Sequence, residues 1–288
     1  MSKRLAAVLL SAATAFGAVF AASGAEGTVA HRGVCGSGNW SRNVEVVGLT
    51  SDQRLICFRA DRPDRARDIA PLSGLVDDTR LVGIDVRPAN GQLYGLGDQG
   101  GIYTVDVRTA AANRVARASV PLQGTSFGVD FNPVADRMRV ISDAGQNLRI
   151  NVADGVAASD AGLTYPPATT PATGVTGAMY TNNDADAATG TTLFDVDSML
   201  DQIAIQSPPN AGSLVPTGKL GVDTGADVAA DIFSKVRRGT TVANTAYAAL
   251  STPDGSSFHY VDLLTGRATA TGRFSYGNQV VGIAIPLG

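Results

Sequence analysis

Two stretches of the chain, 45 residues apart, repeat one another without a gap: VGIDVRPANGQLYGLGDQGGIYTVDV from Val82 and FGVDFNPVADRMRVISDAGQNLRINV from Phe127. Gly83 falls on Gly128, Asp85 on Asp130, Pro88 on Pro133, Asp98 on Asp143 and Gly100 on Gly145, with apolar residues matching at alternate positions between them. Short alternating runs broken by Gly, Pro, Asn and Asp, at a period of about 40 to 50 residues, mark the blade of a β-propeller. One such blade cannot bury both of its faces, so blades must stack around an axis.

Weaker copies flank the pair. One begins at Val46, one runs from Gly177 through an Asn/Asp-rich loop to TTLFDVDSMLDQIAI, and one runs from Val228 to HYVDLLTGRAT. Each unit reads as three strands joined by two turns, and no window of the chain carries a capped helical period. The chain then finishes on QVVGIAIPLG, which holds only the opening strand of a unit. Such a strand closes a ring by supplying the innermost strand that the first unit lacks, which hides two open edges. The expected fold is all-β: one propeller over residues 46–288, with five blades as the first reading and six as the second. A β-solenoid is disfavoured because its repeats are shorter.

The repeat also disposes of a false motif. Gly95, Gly97 and Gly100 have the G-x-G-x-x-G spacing of a dinucleotide loop, but such a loop must open a helix whose N-terminus holds the pyrophosphate. Gly100 leads instead into GIYTVDV, a period-two strand, and in the second copy Val140 and Ser142 replace the first two glycines. Asp98 to Gly101 is therefore expected to be a hairpin turn, with Gly95 and Gly97 in a strand.

The N-terminal residues MSKRLAAVLLSAATAFGAVFAASGAEG combine Lys3 and Arg4 with an apolar run and then small residues. That is the pattern of a secretory signal peptide over residues 1–25, followed by an irregular segment over 26–45, and it implies an exported, secreted protein. No later run is long and apolar enough for a membrane span. Of the 23 basic residues two, Lys3 and Arg4, fall in this leader, which leaves 21 against 26 acidic ones. This mild acidity argues against nucleic acid and anionic membranes as partners. The arginine-rich RADRPDRAR (59–67) is expected to form a solvated loop. In an exported chain the two cysteines, Cys35 and Cys57, are expected to form a disulfide closing a loop of about 20 residues, a constraint of roughly 3 kcal/mol in the chain-entropy picture.

Catalytic constellations are scarce. Ser126 lies in a G-x-S-x-G match, GTSFG, but an extended segment comes after it where a nucleophile elbow needs a helix. The only histidines are His31 and His259, which leaves no zinc site; His259 is expected to be a half-exposed strand residue. Acidic residues offer more. Asn182, Asp184 and Asp186 alternate like the start of a calcium loop, yet Ala187 and Leu193 stand where its glycine and glutamate belong. At the third position of the opening strands stand Asp85, Asp130 and Asp231, replaced by Met179 and Ala284 in the other two copies. Because opening strands line a propeller's axis, these carboxylates are placed to converge there, with Asn132 nearby. Calcium is the cation such acids suit, and the plainer role is to bond the backbone of a neighbouring blade.

The segments GIDVRPANGQLYGLG, FGVDFNPVADRMRVISDAGQNLRIN and TTLFDVDSMLDQIAIQSPPNAGSLVPTGKLGVD resemble a family of exported bacterial proteins known only as a domain of unknown function. The resemblance runs over about residues 43–287. It implies an extracellular or envelope β-repeat domain and brings no reaction, substrate or catalytic residue. The expectation is a secreted, monomeric binding or scaffolding module for a small molecule, glycan or protein. Its rivals are a metal-dependent hydrolase or lyase of the propeller lactonase type, using the axial acids, and a purely structural envelope protein.

Overall fold

The computed structural model describes residues 44–184, 186–275 and 279–287. They form twenty strands in five four-stranded antiparallel sheets, the blades of a five-bladed propeller. Blade 1 holds β1 (Glu45–Thr50), β2 (Arg54–Arg59) and β3 (Arg62–Pro71). Blade 2 holds β4 (Leu81–Val86), β5 (Leu93–Gly97), β6 (Gly101–Val105) and β7 (Ala112–Arg117). Blade 3 holds β8 (Phe127–Asn132), β9 (Arg137–Ser142), β10 (Asn147–Ile150) and β11 (Ala157–Ser159). Blade 4 holds β12 (Val175–Tyr180), β13 (Leu193–Asp197), β14 (Gln202–Gln206) and β15 (Leu214–Lys219). Blade 5 holds β16 (Val228–Arg237), β17 (Thr240–Thr252), β18 (Gly255–Val261) and β19 (Ala268–Arg273). The last strand, β20 (Val280–Ala284), returns to pair with β1 and becomes the innermost strand of blade 1. The ring is thus closed by the two ends of the repeat array, as the unfinished last copy implies.

Blades 2 to 5 each have one more strand than the sequence pattern suggests, while blade 1 has the three strands of its own copy and the closing strand β20. The outer strands β3, β7, β11, β15 and β19 are mostly exposed, so their residues face no strict apolar alternation; β11 is only three residues long. RADRPDRAR is likewise not a loop. It forms the end of β2 and most of β3, an edge strand that keeps Pro63 and Ala66 buried and turns its arginines to solvent.

Five apolar clusters hold the ring, one in each seam between adjacent blades. Burial of such faces is the main favourable term in folding. The innermost strands run close enough that side chains are excluded at one level. A Cβ on Gly128 would sit 2.7 Å from the backbone of Gly177 and Ala178 in the next blade, which explains the match of Gly83 with Gly128. The matched aspartates are turn braces: Asp98 accepts from Thr79 N and Oγ1, and Asp143 accepts from Thr125 N and Oγ1. Gly100 has φ of 84°, which turns β5 into β6 and makes this a hairpin in place of a phosphate loop.

Candidate functional site

The three repeated acids do meet at the axis. Asp85, Asp130 and Asp231 are 5, 2 and 3 % exposed, and each reaches across to the blade that follows it. Asp85 Oδ2 accepts from Phe131 N at 2.8 Å, Asp130 Oδ2 from Tyr180 N at 2.9 Å, and Asp231 Oδ2 from Ile285 N at 2.6 Å. In all three cases the donor is the residue just after the matching position of the next inner strand. The other oxygens of Asp85 and Asp231 accept from the adjacent Val86 and Ile232 N–H. These are the two donors that blades 1 and 4, with Ala284 and Met179, leave without a cross-blade acceptor. Three carboxylates therefore satisfy one inner-strand N–H in all five blades.

This environment favours the neutral acid. Burial pushes the Asp85 carboxyl up to about 7, against the pull of the Phe131 N–H, the Asp130 side chain and the Val86 N–H. Burial also raises Asp130 well above the carboxylate range, and the charges of Asp85 and Asp231 add to the effect. Asp231 rises through burial and its neighbour Asp85. The Asp85 and Asp130 carboxyls lie close enough for each to influence the other's protonation. Among the described residues no group of three His, Cys, Asp or Glu side chains is arranged to hold a metal ion. Asn132 turns away from this work: its Oδ1 accepts from Val134 N and Ala135 N in the turn after β8.

The other acidic candidates are also committed to backbone. Asp184 Oδ1 and Oδ2 accept from Asp186 N and Thr241 N, Asp186 Oδ1 accepts from Ala188 N, and Asn182 bonds Gly190 O and Asn244. They tie the β12–β13 loop to β17. His259 is a correction: it is 4 % exposed, because β18 is the third strand of its blade and lies under β19. His31 and Cys35 lie outside the described residues, as does the whole leader. Cys57 is buried in β2.

A polar cavity of 120 Å³ opens where the inner strands begin, at the opposite end of the axis from the acids. Leu81, Phe127 and Val228 are on its wall, and the acids come three or four residues later, about 10–13 Å along the strands. Its polar lining comes from four blades: Ser51 and Gln53, Arg80, Thr125 and Ser126, and Asp227. Gln53 is occupied in bridging to the Leu81 backbone, and Thr125 in holding Asp143. The hydroxyl of Ser126 and the carboxylate of Asp227 carry no side-chain hydrogen bond to another described residue; the guanidinium of Arg80 carries none either, but its charge acts on the Asp98 carboxylate. In the sequence Ser126 stands out only as a false nucleophile. Arg80 and Asp227 do not stand out at all, because they lie in connections between blades where no periodicity marks them.

A second feature escapes the sequence entirely. At each seam the second strand of one blade presents a side chain to the next blade. Val47, Tyr94, Phe194 and Tyr247 take this place in four blades and Arg139 in blade 3. The next position along these strands is Gly48, Gly95, Val140 or Ala248 in four blades and Asp195 in blade 4, where the charge of Arg139 acts on it. Arg139, 1 % exposed, donates to Tyr180 Oη, Asn147 Oδ1, Asp160 Oδ2 and Asn210 Oδ1. Burial pulls Asp160 upward, but Arg149 and Arg139 together hold it below the usual carboxylate range. Asp195 is fully buried and neither of its oxygens has a partner, so burial drives it well above that range, with Arg139 pulling weakly the other way.

Comparison with solved structures finds a protein of unknown function from Bacteroides thetaiotaomicron VPI-5482, 11 % identical, with a TM-score of 0.43, over 83 % of this chain and 62 % of that one. An auxiliary nutrient binding protein from Bacteroides ovatus ATCC 8483 is 12 % identical with a TM-score of 0.38, over 77 % of this chain and 57 % of that one. The Malassezia sympodialis allergen Mala s 1 is 11 % identical with a TM-score of 0.39, over 84 % and 77 %. The chain thus spans less than two thirds of the first two proteins, and at these TM-scores nothing passes from them to it. No curated protein matches. The family profile described as "Domain of unknown function (DUF4394)" matches residues 54–284, and the chain belongs to that family.

Proposed function

We propose that this protein is an exported binding module that takes one polar end of a small ligand at the mouth of its axial channel. The observation that carries this reading is the set of three polar side chains, Arg80, Ser126 and Asp227, that come from three blades to one open cavity and make no side-chain hydrogen bond there, although the Arg80 charge also acts on Asp98. A guanidinium and a carboxylate facing one small space suit a ligand bearing both charge signs, such as a free amino acid, a dipeptide terminus or an amino sugar. At 120 Å³ the cavity is smaller than an ordinary drug-sized pocket, so it grips an end group and leaves the rest of the ligand outside. The blades supply a rigid frame, which limits the ordering cost of binding.

The test is thermal melting of the full chain with millimolar amino acids, dipeptides, amino sugars and neutral monosaccharides. Mass action raises the midpoint for any species that binds the native state alone. A zwitterionic hit that is lost in Arg80→Ala/Asp227→Asn supports the reading. A hit indifferent to that double variant, or silence across the panel, overturns it. The metal-dependent alternative is separated by calcium: its midpoint shift must vanish when Asp85, Asp130 and Asp231 are all changed to Asn.

A further inference from the structure

On the rim of blade 5, Ser257 Oγ and His259 Nε2 are 2.8 Å apart, two residues along the same face of β18. Both are buried, at 6 and 4 % exposure, and both line a groove of 420 Å³. Its walls are Val222 and Asp223 from the connection between blades 4 and 5, the β17–β18 turn, and Ala270 to Arg273 of β19. His259 lies opposite Ala248 on one side and Ala270 on the other, two small residues that leave the ring room.

Two features set this pair apart from the structural polar groups of the ring. First, it is no device of the repeat: the matching third-strand positions hold Ile56, Tyr103, Leu148 and Ala204. The one polar side chain among them, Tyr103, is fully engaged with Val76 and Asp78. Second, His259 Nδ1 is buried without a partner, an arrangement that a purely structural histidine avoids. Burial lowers the affinity of His259 for a second proton, so its imidazole is neutral near pH 7.

We propose that Ser257 and His259 are a nucleophilic dyad, a further activity at a site distinct from the channel mouth, which accepts the acyl group of a small activated ester. Ser257 Oγ attacks the ester carbonyl carbon as its proton passes to His259 Nε2. The bond from that carbon to the alcohol oxygen then breaks, and the leaving alkoxide takes the proton from the imidazolium. Water, deprotonated by the same imidazole, attacks the acyl-serine and releases the carboxylic acid, with the proton returned to Ser257. No carboxylate bonds Nδ1, so the rate is expected to lie orders of magnitude below that of a full triad, with the acyl-enzyme accumulating.

The experiment exposes the folded full-length protein to p-nitrophenyl acetate and, separately, to a fluorophosphonate probe, and maps the modified peptide by mass spectrometry. The expected result is an adduct on Ser257, absent after denaturation before labelling and absent in Ser257→Ala. Its rate should rise with pH through the imidazole titration and fall about 100-fold in His259→Gln. Melting curves and circular dichroism identify variants that retain the fold. The wild-type chain decides the matter even without a variant: a folded protein that gives no adduct, or one only at other residues, overturns the proposal. An unchanged labelling rate in folded His259→Gln also overturns it.

Discussion

The axial ring and the seam between blades 3 and 4 both bury carboxylates, and they use them in opposite ways. At the axis every acid accepts a backbone N–H of the neighbouring blade, so the desolvation cost of the side chain is offset by donors that would otherwise be orphaned. In the seam, Arg139 is surrounded by partners while Asp195, on the facing strand, has none. Burial alone therefore does not identify a useful charge. What counts is which unmet donor or acceptor the group answers.

The largest test of this contrast is Arg139→Leu. It leaves Asn147 Oδ1 and Asn210 Oδ1 without their donor in a buried seam and Asp160 to Arg149 alone, and urea denaturation is expected to show a loss of about 3–5 kcal/mol. A near-neutral result would mean that the seam's polar network is not a structural tie. Next comes pH. Asp85 moves from an ordinary value of about 3.9 to about 7 on folding, so the folded chain keeps a proton that the unfolded chain releases. Stability is therefore full below the ordinary value and falls as pH rises from about 4 to about 7. Asp130, Asp231 and Asp195 push in the same direction. Melting across that range should show the decline, and Asp85→Asn should make it shallower, with Asp130, Asp231 and Asp195 keeping the remainder.

Replacing Asp130 by Ala leaves the Tyr180 N–H buried and unpaired, for an expected loss of about 1–3 kcal/mol. Asp130→Asn keeps an acceptor in place and should retain most of the stability. Equal losses in the two variants would show that the carboxyl does more than bond that N–H. The smallest expected effect has the opposite sign. Asp195→Ala restores the kind of residue that Gly48, Gly95, Val140 and Ala248 supply elsewhere, and should stabilise the chain by about 1 kcal/mol at neutral pH. If it destabilises, Asp195 answers a donor in the seam after all.

The legible parts of this molecule are those tied to the repeat. The 45-residue match placed Asp85 over Asp130 and, with the weaker copies, Asp231 at the same level, because inner strands share one register and face one axis. It also exposed the unpaired last strand that closes the ring. The outer strands were not legible, since half-exposed edges such as β11 carry no enforced alternation. Arg80 and Asp227 belong to connections of different length between blades, where proximity comes from ring closure rather than from spacing. Ser257 and His259 were two letters apart in plain view. Their contact depends on β18 being third in its blade, which nothing in SSFHY specifies.

A period in hydrophobicity must be matched by a period in burial, so the order of residues alone was enough for a closed ring of stacked sheets, five being the first count and six the second, and for the level at which acids line its axis. What those acids bond, which side chains meet at the channel mouth, and that Asp195 has no hydrogen-bond partner in a seam that holds Arg139 emerged only in three dimensions. Such pairings depend on distances between residues in different blades. A linear pattern repeats the blade but carries no measure of the gap between one blade and the next.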